Sequence, residues 1–208
     1  MKDLGAANYI LGMEIKRDCT KRKLWLNQIK YVETILLRFN VQDSKLVKVI
    51  IPIGVKLSTK QCPKTQQEEE DMSHVPYASV VSSLMYAMVY TRLDISHAVG
   101  VLSRFMSKPR KEHWIVGKQV FRYLRSTSDY GLCNQVRLGL DRALDICGFV
   151  DVDWAGDLDH RRSTGGYVFN LFGGAVSWMS KKQSIVRLST TEAEYMAVTH
   201  GSKEAVWL

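Results

Sequence analysis

Residues 144–154 alternate, and this alternation limits the possible folds more than any other stretch of the chain. Leu144, Ile146, Gly148, Val150, Val152 and Trp154 share one face, while Asp145, Cys147, Phe149, Asp151 and Asp153 share the other. Period-2 patterning marks a β-strand packed on a core by one face. Asp151 and Asp153 then project together near the strand's end. Taken alone, the pattern is equally that of a solvated strand face running into a polar turn.

A helix follows about forty positions later. Ser189 precedes an Ala-rich run with Glu192 three residues on, a capping box in which the glutamate reaches back to the N-cap amide. Glu192 therefore has a structural task. Glu194 has none, and helical spacing sets it on the side of Ala197, Val198 and Gly201. Small residues on that side predict close approach to the sheet, bringing Glu194 near Asp151. Between strand and helix, residues 163–174 and 175–183 read as two more strands joined at Gly173-Gly174. The order strand, strand, strand, helix makes the fold class α+β.

Gathered carboxylates repel one another unless a cation holds them. Hard oxygen donors suit Mg²⁺ or Mn²⁺, and two such ions clamping a phosphodiester is a common nuclease arrangement. Charge distribution points the same way. Residues 1–140 carry twenty-two Lys and Arg against twelve Asp and Glu, whereas residues 141–208 carry seven against nine. A basic body beside an acidic site suits a nucleic-acid enzyme, although many lysines on any basic protein only solvate it. Four cysteines at 19, 62, 133 and 147 lack metal-ligand spacing and read as reduced thiols of an intracellular protein. No apolar run is long enough for a membrane span, and the residues at the start lack the apolar core of a secretory leader, so neither is expected.

Upstream, Tyr9–Lys16 and Lys23–Asn27 read as a hairpin, and residues 28–40 as an amphipathic helix with Ile29, Val32, Ile35, Leu36 and Phe39 on its apolar stripe. Residues 54–76 turn polar and read as a linker or long loop, with the acidic run 66–71 simply solvated. Three helices follow: Tyr77–Tyr90, one capped by Asp94, and one over residues 111–125. On the last, Lys111, Lys118, Arg122 and Arg125 fall at i, i+7, i+11 and i+14. Four like charges on one narrow face repel one another and gain most by meeting phosphates; a solvated basic face is the plainer alternative. His113 and Trp114 read as packing or solvent residues.

The motifs Val150-Asp-Val-Asp-Trp-Ala-Gly-Asp, Arg161-Arg-Ser-Thr-Gly-Gly-Tyr-Val-Phe, Val176-Ser-Trp, Ser180-Lys-Lys-Gln and Leu188-Ser-Thr-Thr-Glu-Ala-Glu-Tyr-Met-Ala, in this order, resemble the ribonuclease H domain of copia-type long-terminal-repeat retrotransposon polyproteins. Tyr9-Ile-Leu-Gly-Met-Glu-Ile resembles the end of that family's reverse-transcriptase palm. Ser82-Ser-Leu-Met-Tyr, Thr91-Arg-Leu-Asp-Ile, Leu102-Ser-Arg-Phe-Met and Tyr123-Leu-Arg-Ser-Thr resemble the segment joining polymerase to nuclease.

The resemblance implies a palm end and thumb-like remnant over 1–53, a linker over 54–76, a helical connection over 77–140, and over 141–208 the first half of a ribonuclease H-like mixed sheet with a packed helix. It implies metal-dependent hydrolysis of RNA in RNA–DNA hybrids, with Asp151 and Glu194 as catalytic and metal-holding residues and Asp153 as a further candidate ligand. The family uses four acidic residues, and two lie beyond Leu208. Mg²⁺ or Mn²⁺ is therefore expected only in the complete domain, and cleavage by this chain alone is expected to be weak or absent. The implied partners are nucleic acid, held by Lys111, Lys118, Arg122 and Arg125, and the rest of a Pol polyprotein. The alternative is a non-catalytic nucleic-acid-binding remnant of a decayed element. Leu93 and Arg187 depart from the family, which usually has proline and a small or aliphatic residue at these positions.

Overall fold

The computed structural model describes residues 5–52, 54–136 and 146–208. Leu144 and Asp145 of the alternating stretch lie outside the described residues. The architecture is α+β, with two antiparallel sheets among the described residues.

The first sheet has the order β1 (Tyr9–Ile10), β2 (Met13–Asp18), β3 (Lys23–Asn27) and β4 (Gly131–Gln135). The sequence pattern suggested one strand over 9–16. The structure breaks it at Leu11-Gly12, where both residues have positive φ (47° and 71°). Two such residues make the tight turn whose twist matches a hairpin. The Tyr86 hydroxyl fixes the turn by donating to the Leu11 carbonyl at 2.7 Å. β4 falls in the stretch read as a helical connection. It pairs with β3, Gly131 opposite Asn27, where a Cβ on Gly131 would come within 2.5 Å of the Leu26 carbonyl oxygen.

The main core is helical. α1 (Ile29–Arg38), α3 (Tyr77–Tyr90), α4 (Ser96–Ser103) and α5 (Lys111–Ser126) bury Val32, Ile35, Leu84, Leu102, Val120, Phe121 and Leu124 against one another. Asp94 does not cap α4. It lies in a 3-10 turn, Leu93–Ile95, and holds the guanidinium of Arg92 at 3.0 and 2.7 Å. A buried arginine in reach competes for the carboxylate that would otherwise take the helix amides.

His113 is fully buried and stacks on Phe105 with ring centroids 4.0 Å apart. Its Nδ1 accepts the Arg110 amide at 3.0 Å, which selects the neutral ring. Burial, chiefly, and the nearby Arg110 hold its pKa below 6.5, against an opposing pull from Glu112. Between that depressed folded value and 6.5 the unfolded chain binds more protons. This contribution to stability is therefore complete above about pH 6.5 and fades as pH falls through the window below it. His113→Asn is expected to flatten the pH dependence of urea unfolding between pH 5 and 7; an unchanged slope would show that His113 does not carry it.

Residues 54–76 are not simply a loop. Gln66–Ser73 forms α2, capped by the Thr65 hydroxyl, which accepts the Glu68 amide. The acidic run forms contacts on two sides: Gln66 and Gln67 bond Glu70 and Asp71 one turn on, Glu68 pairs with Arg110, and Glu69 pairs with Lys108 at 3.2 Å. Tertiary cations neutralise a helix that its own charges would disfavour.

The second sheet is a meander of β5 (Ile146–Asp153), β6 (Thr164–Leu171) and β7 (Gly174–Lys182), followed by α6 (Thr190–Trp207). All pairings are antiparallel, in the order β5-β6-β7, so the mixed sheet suggested by resemblance is not seen in the described residues. The β6–β7 turn sits one residue earlier than Gly173-Gly174, at Phe172-Gly173 with φ of 53° and 79°. Gly174 belongs to β7, where a Cβ would come within 2.6 Å of the Cys133 carbonyl oxygen.

Candidate functional site

α6 packs on the second sheet through Ala193, Ala197 and Gly201, one turn apart and all buried. The approach is tight: a Cβ on Gly201 would lie 2.7 Å from the Val150 side chain, and one on Gly165 would lie 3.4 Å from Ala197. Ala197 and Gly201 thus allow the close approach expected of them, whereas Val198, expected on the same side, is exposed.

The contact with Val150 also settles the two faces of β5. Val150, opposite Tyr167, faces α6; Asp151, opposite Gly166, projects from the other face. Asp151 is exposed, and its Oδ1 accepts the Val152 amide at 2.8 Å. Glu194 is exposed too. At 100° per residue it lies about 60° from Ala197 toward Gly201 and away from His200. Gly201 stands over β5, while His200 lines a cavity of about 110 Å³ with Met179 and Lys181 of β7. Glu194 therefore occupies the flank of α6 above the open edge of β5. The two candidate carboxylates flank one strand edge from opposite faces rather than converging on the face beneath the helix. The alternation that marks the strand also separates them.

Glu192 caps the helix as expected, with one shift. The Ser189 hydroxyl accepts the Glu192 amide at 3.2 Å, but the Glu192 carboxylate accepts the Leu188 amide at 3.1 Å, one residue earlier than in a standard capping box.

Asp153 shares the face of Asp151 and lines a cleft of about 270 Å³ with His97 and Arg104 of the α4 region, Asp157 and Thr164. Its carboxylate leaves no room at Gly156, where a Cβ would come within 1.8 Å of Oδ2. Burial, then the neighbouring Arg104, holds His97 below the usual imidazole range, while Asp153 pulls the other way.

Two polar contacts near the site were not foreseen from the residues. Asp157 is buried and gathers Lys182 at 3.2 Å, His160 at 3.4 Å and Arg104 at 3.6 Å. Asp159 ties the 54–76 segment to the β5–β6 loop, accepting the Ser58 hydroxyl at 2.5 Å and the Thr59 amide at 2.8 Å. Burial opposes ionisation of Asp159, yet these hydrogen bonds outweigh it and hold the pKa below 3.8. Apart from His160, three residues from Asp157, the partners lie far apart in sequence and left no local signal. Among the described residues no three of His, Cys, Asp and Glu stand close enough to hold a metal ion.

The basic stripe lies on α5 as the spacing suggested, but its members differ. Lys111 is exposed; Lys118 lies over the Trp114 ring at 5.7 Å; Arg122 is partly buried. Arg125 instead donates to the Ser44 carbonyl. No helix among the described residues is long and apolar enough to cross a membrane.

The chain is 54% identical over its full length to the retrovirus-related Pol polyprotein from transposon TNT 1-94 of Nicotiana tabacum, of which it spans 15%. It is 54% identical over 66% of its length to the secreted RxLR effector protein 161 of Plasmopara viticola, covering 94% of that protein. It is also 34% identical over its full length to an uncharacterized mitochondrial protein of Arabidopsis thaliana, covering 80% of it. No family profile and no solved structure matches the chain. Along essentially its full length the chain is similar to one segment of retrovirus-related Pol polyproteins of transposons, spanning 13–15% of each.

Proposed function

We propose that this chain is the part of a retrotransposon Pol polyprotein that leads from reverse transcriptase into ribonuclease H. In this reading it holds an RNA–DNA hybrid on its basic body and contributes Asp151 and Glu194 to a nuclease site. The observation that supports this most is the docking of α6 on β5 through Gly201 and Val150, which packs the two carboxylate-bearing elements together at one open sheet edge. The rest of the Pol polyprotein is the natural partner.

Mg²⁺ or Mn²⁺ fits the carboxylate donors by type. It does not fit them by number, since the described residues bring no three ligands together. By the resemblance the remaining ligands belong to later elements of the polyprotein, and Asp153, turned into the cleft beside His97, would at most act from a distance. With no third ligand beside them among the described residues, nucleic-acid binding without cleavage is the reading favoured for this segment.

A labelled RNA–DNA hybrid mixed with the 208-residue protein and Mg²⁺ should be bound and not cut, with affinity falling steeply as salt rises. Mg²⁺-dependent cleavage abolished by Asp151→Asn would overturn the separated geometry. Failure to bind at low salt would overturn the nucleic-acid reading.

A further inference from the structure

The stripe on α5 is incomplete without a loop, residues 41–52, whose bonded positions lie 70–81 residues earlier in the chain. Three bonds lay this loop along the helix: Gln119 donates to the Val49 carbonyl at 3.0 Å, Ser126 to the Val47 carbonyl at 2.5 Å, and Arg125 to the Ser44 carbonyl. The loop therefore runs from the C-terminal end of α5 toward its middle. Val41 is buried and Ile50 and Ile51 pack on the helical core, so both ends of the loop are anchored. Lys45 lies between the Ser44 and Val47 attachments, and Lys48 between the Val47 and Val49 attachments. Both are exposed. On the helix, Arg122 falls between Gln119 and Arg125, so the two lysines are carried past it.

Resting on the nucleic-acid reading above, we propose that Lys45 and Lys48 join Lys118 and Arg122 in one surface that binds the sugar–phosphate backbone of a double-stranded nucleic acid. Arg125 is a positioning residue that holds the loop in place. Lys118 to Arg125 spans about 10 Å along the helix, roughly three phosphate steps on one strand at 3.4 Å each. Asp43 is the one acid in the loop, against Lys45 and Lys48. Single-strand platforms need exposed aromatic rings for base stacking. Here Trp114 lies beneath Lys118, and the loop exposes only the aliphatic Leu46 and Val49. A duplex backbone is the ligand that fits.

The test is fluorescence anisotropy with a labelled hybrid duplex across 50–200 mM salt. Lys45→Ala with Lys48→Ala should weaken binding and reduce the slope of log affinity against log salt by about 2, near 0.9 for each lost phosphate contact. Both side chains are exposed, so folding should persist, and circular dichroism checks this. Arg125→Met should reproduce much of the loss, Arg125→Lys should restore it, and Arg125→Met added to the double variant should cost little more. If the unaltered protein binds and the lysine pair leaves the slope unchanged, this surface is wrong while the nucleic-acid reading stands. If the unaltered protein does not bind, both fall.

Discussion

Arg92→Ala is expected to lower the unfolding free energy by about 1.5–3 kcal/mol, the range for losing hydrogen bonds to a charged group, since the buried guanidinium pairs with an exposed Asp94. The Arg92 side chain is 1% exposed. Its Nε and Nη2 hold Asp94 at 3.0 and 2.7 Å, Nη1 donates to the Thr127 carbonyl at 2.9 Å, and Nη2 donates to the Thr127 hydroxyl at 2.5 Å. The guanidinium also lies 5.7 and 5.6 Å from the Tyr123 and Tyr130 ring centroids. It joins the turn between α3 and α4 to the C-terminus of α5. Alanine would leave the Thr127 carbonyl without this donor and Asp94 with the Tyr123 hydroxyl, at 2.9 Å, and solvent. Arg92→Lys keeps the charge but cannot reproduce the planar fork, so it should fall between the two. Urea unfolding measures both. A loss below about 1 kcal/mol for the alanine variant would mean that this junction contributes little.

On the nuclease reading proposed above, in a Pol polyprotein carrying this segment Glu194→Gln should lower hybrid cleavage by orders of magnitude, whereas Glu192→Gln should leave it nearly unchanged. The two positions are about 200° apart on the helix, so they cannot serve the same edge of the sheet. Glu192 is committed to the Leu188 amide, and glutamine can still accept that bond. Glu194 stands exposed on the flank above β5 with no such task, and glutamine there removes a charge at nearly constant shape. The measurement is single-turnover cleavage alongside a thermal melt, so that loss of activity is separated from loss of fold. The reverse result, with Glu192→Gln inactive and Glu194→Gln active, would reassign the helix phase and the site with it.

Local patterns carried far. The alternation from 146 to 153, the Ser189 cap and the apolar stripe of α1 each announce an element whose stability is written in residues close in sequence. The helix over 111–125 and its basic stripe were legible for the same reason. The acidic run at 66–71 was not: its helix depends on Arg110 and Lys108, about forty residues away, and like charges in a row give no hint of distant cations. Asp94 looked like a cap because nothing nearby reveals that Arg92 is buried beside it. β4 was hidden within a helical stretch because pairing with β3, not propensity, makes Gly131–Gln135 a strand.

For the candidate site the division is sharper. The amino-acid sequence alone determined that Asp151 and Glu194 sit on a strand and a helix, that Glu192 caps the helix, and that small residues let the helix approach the sheet. Only the tertiary structure decided which face of β5 the helix covers. Val150 meets Gly201, so period-2 geometry turns Asp151 away. It also decided that Arg125 supports a loop bearing Lys45 and Lys48, because the acceptor at Ser44 is eighty-one residues distant and no local period encodes it.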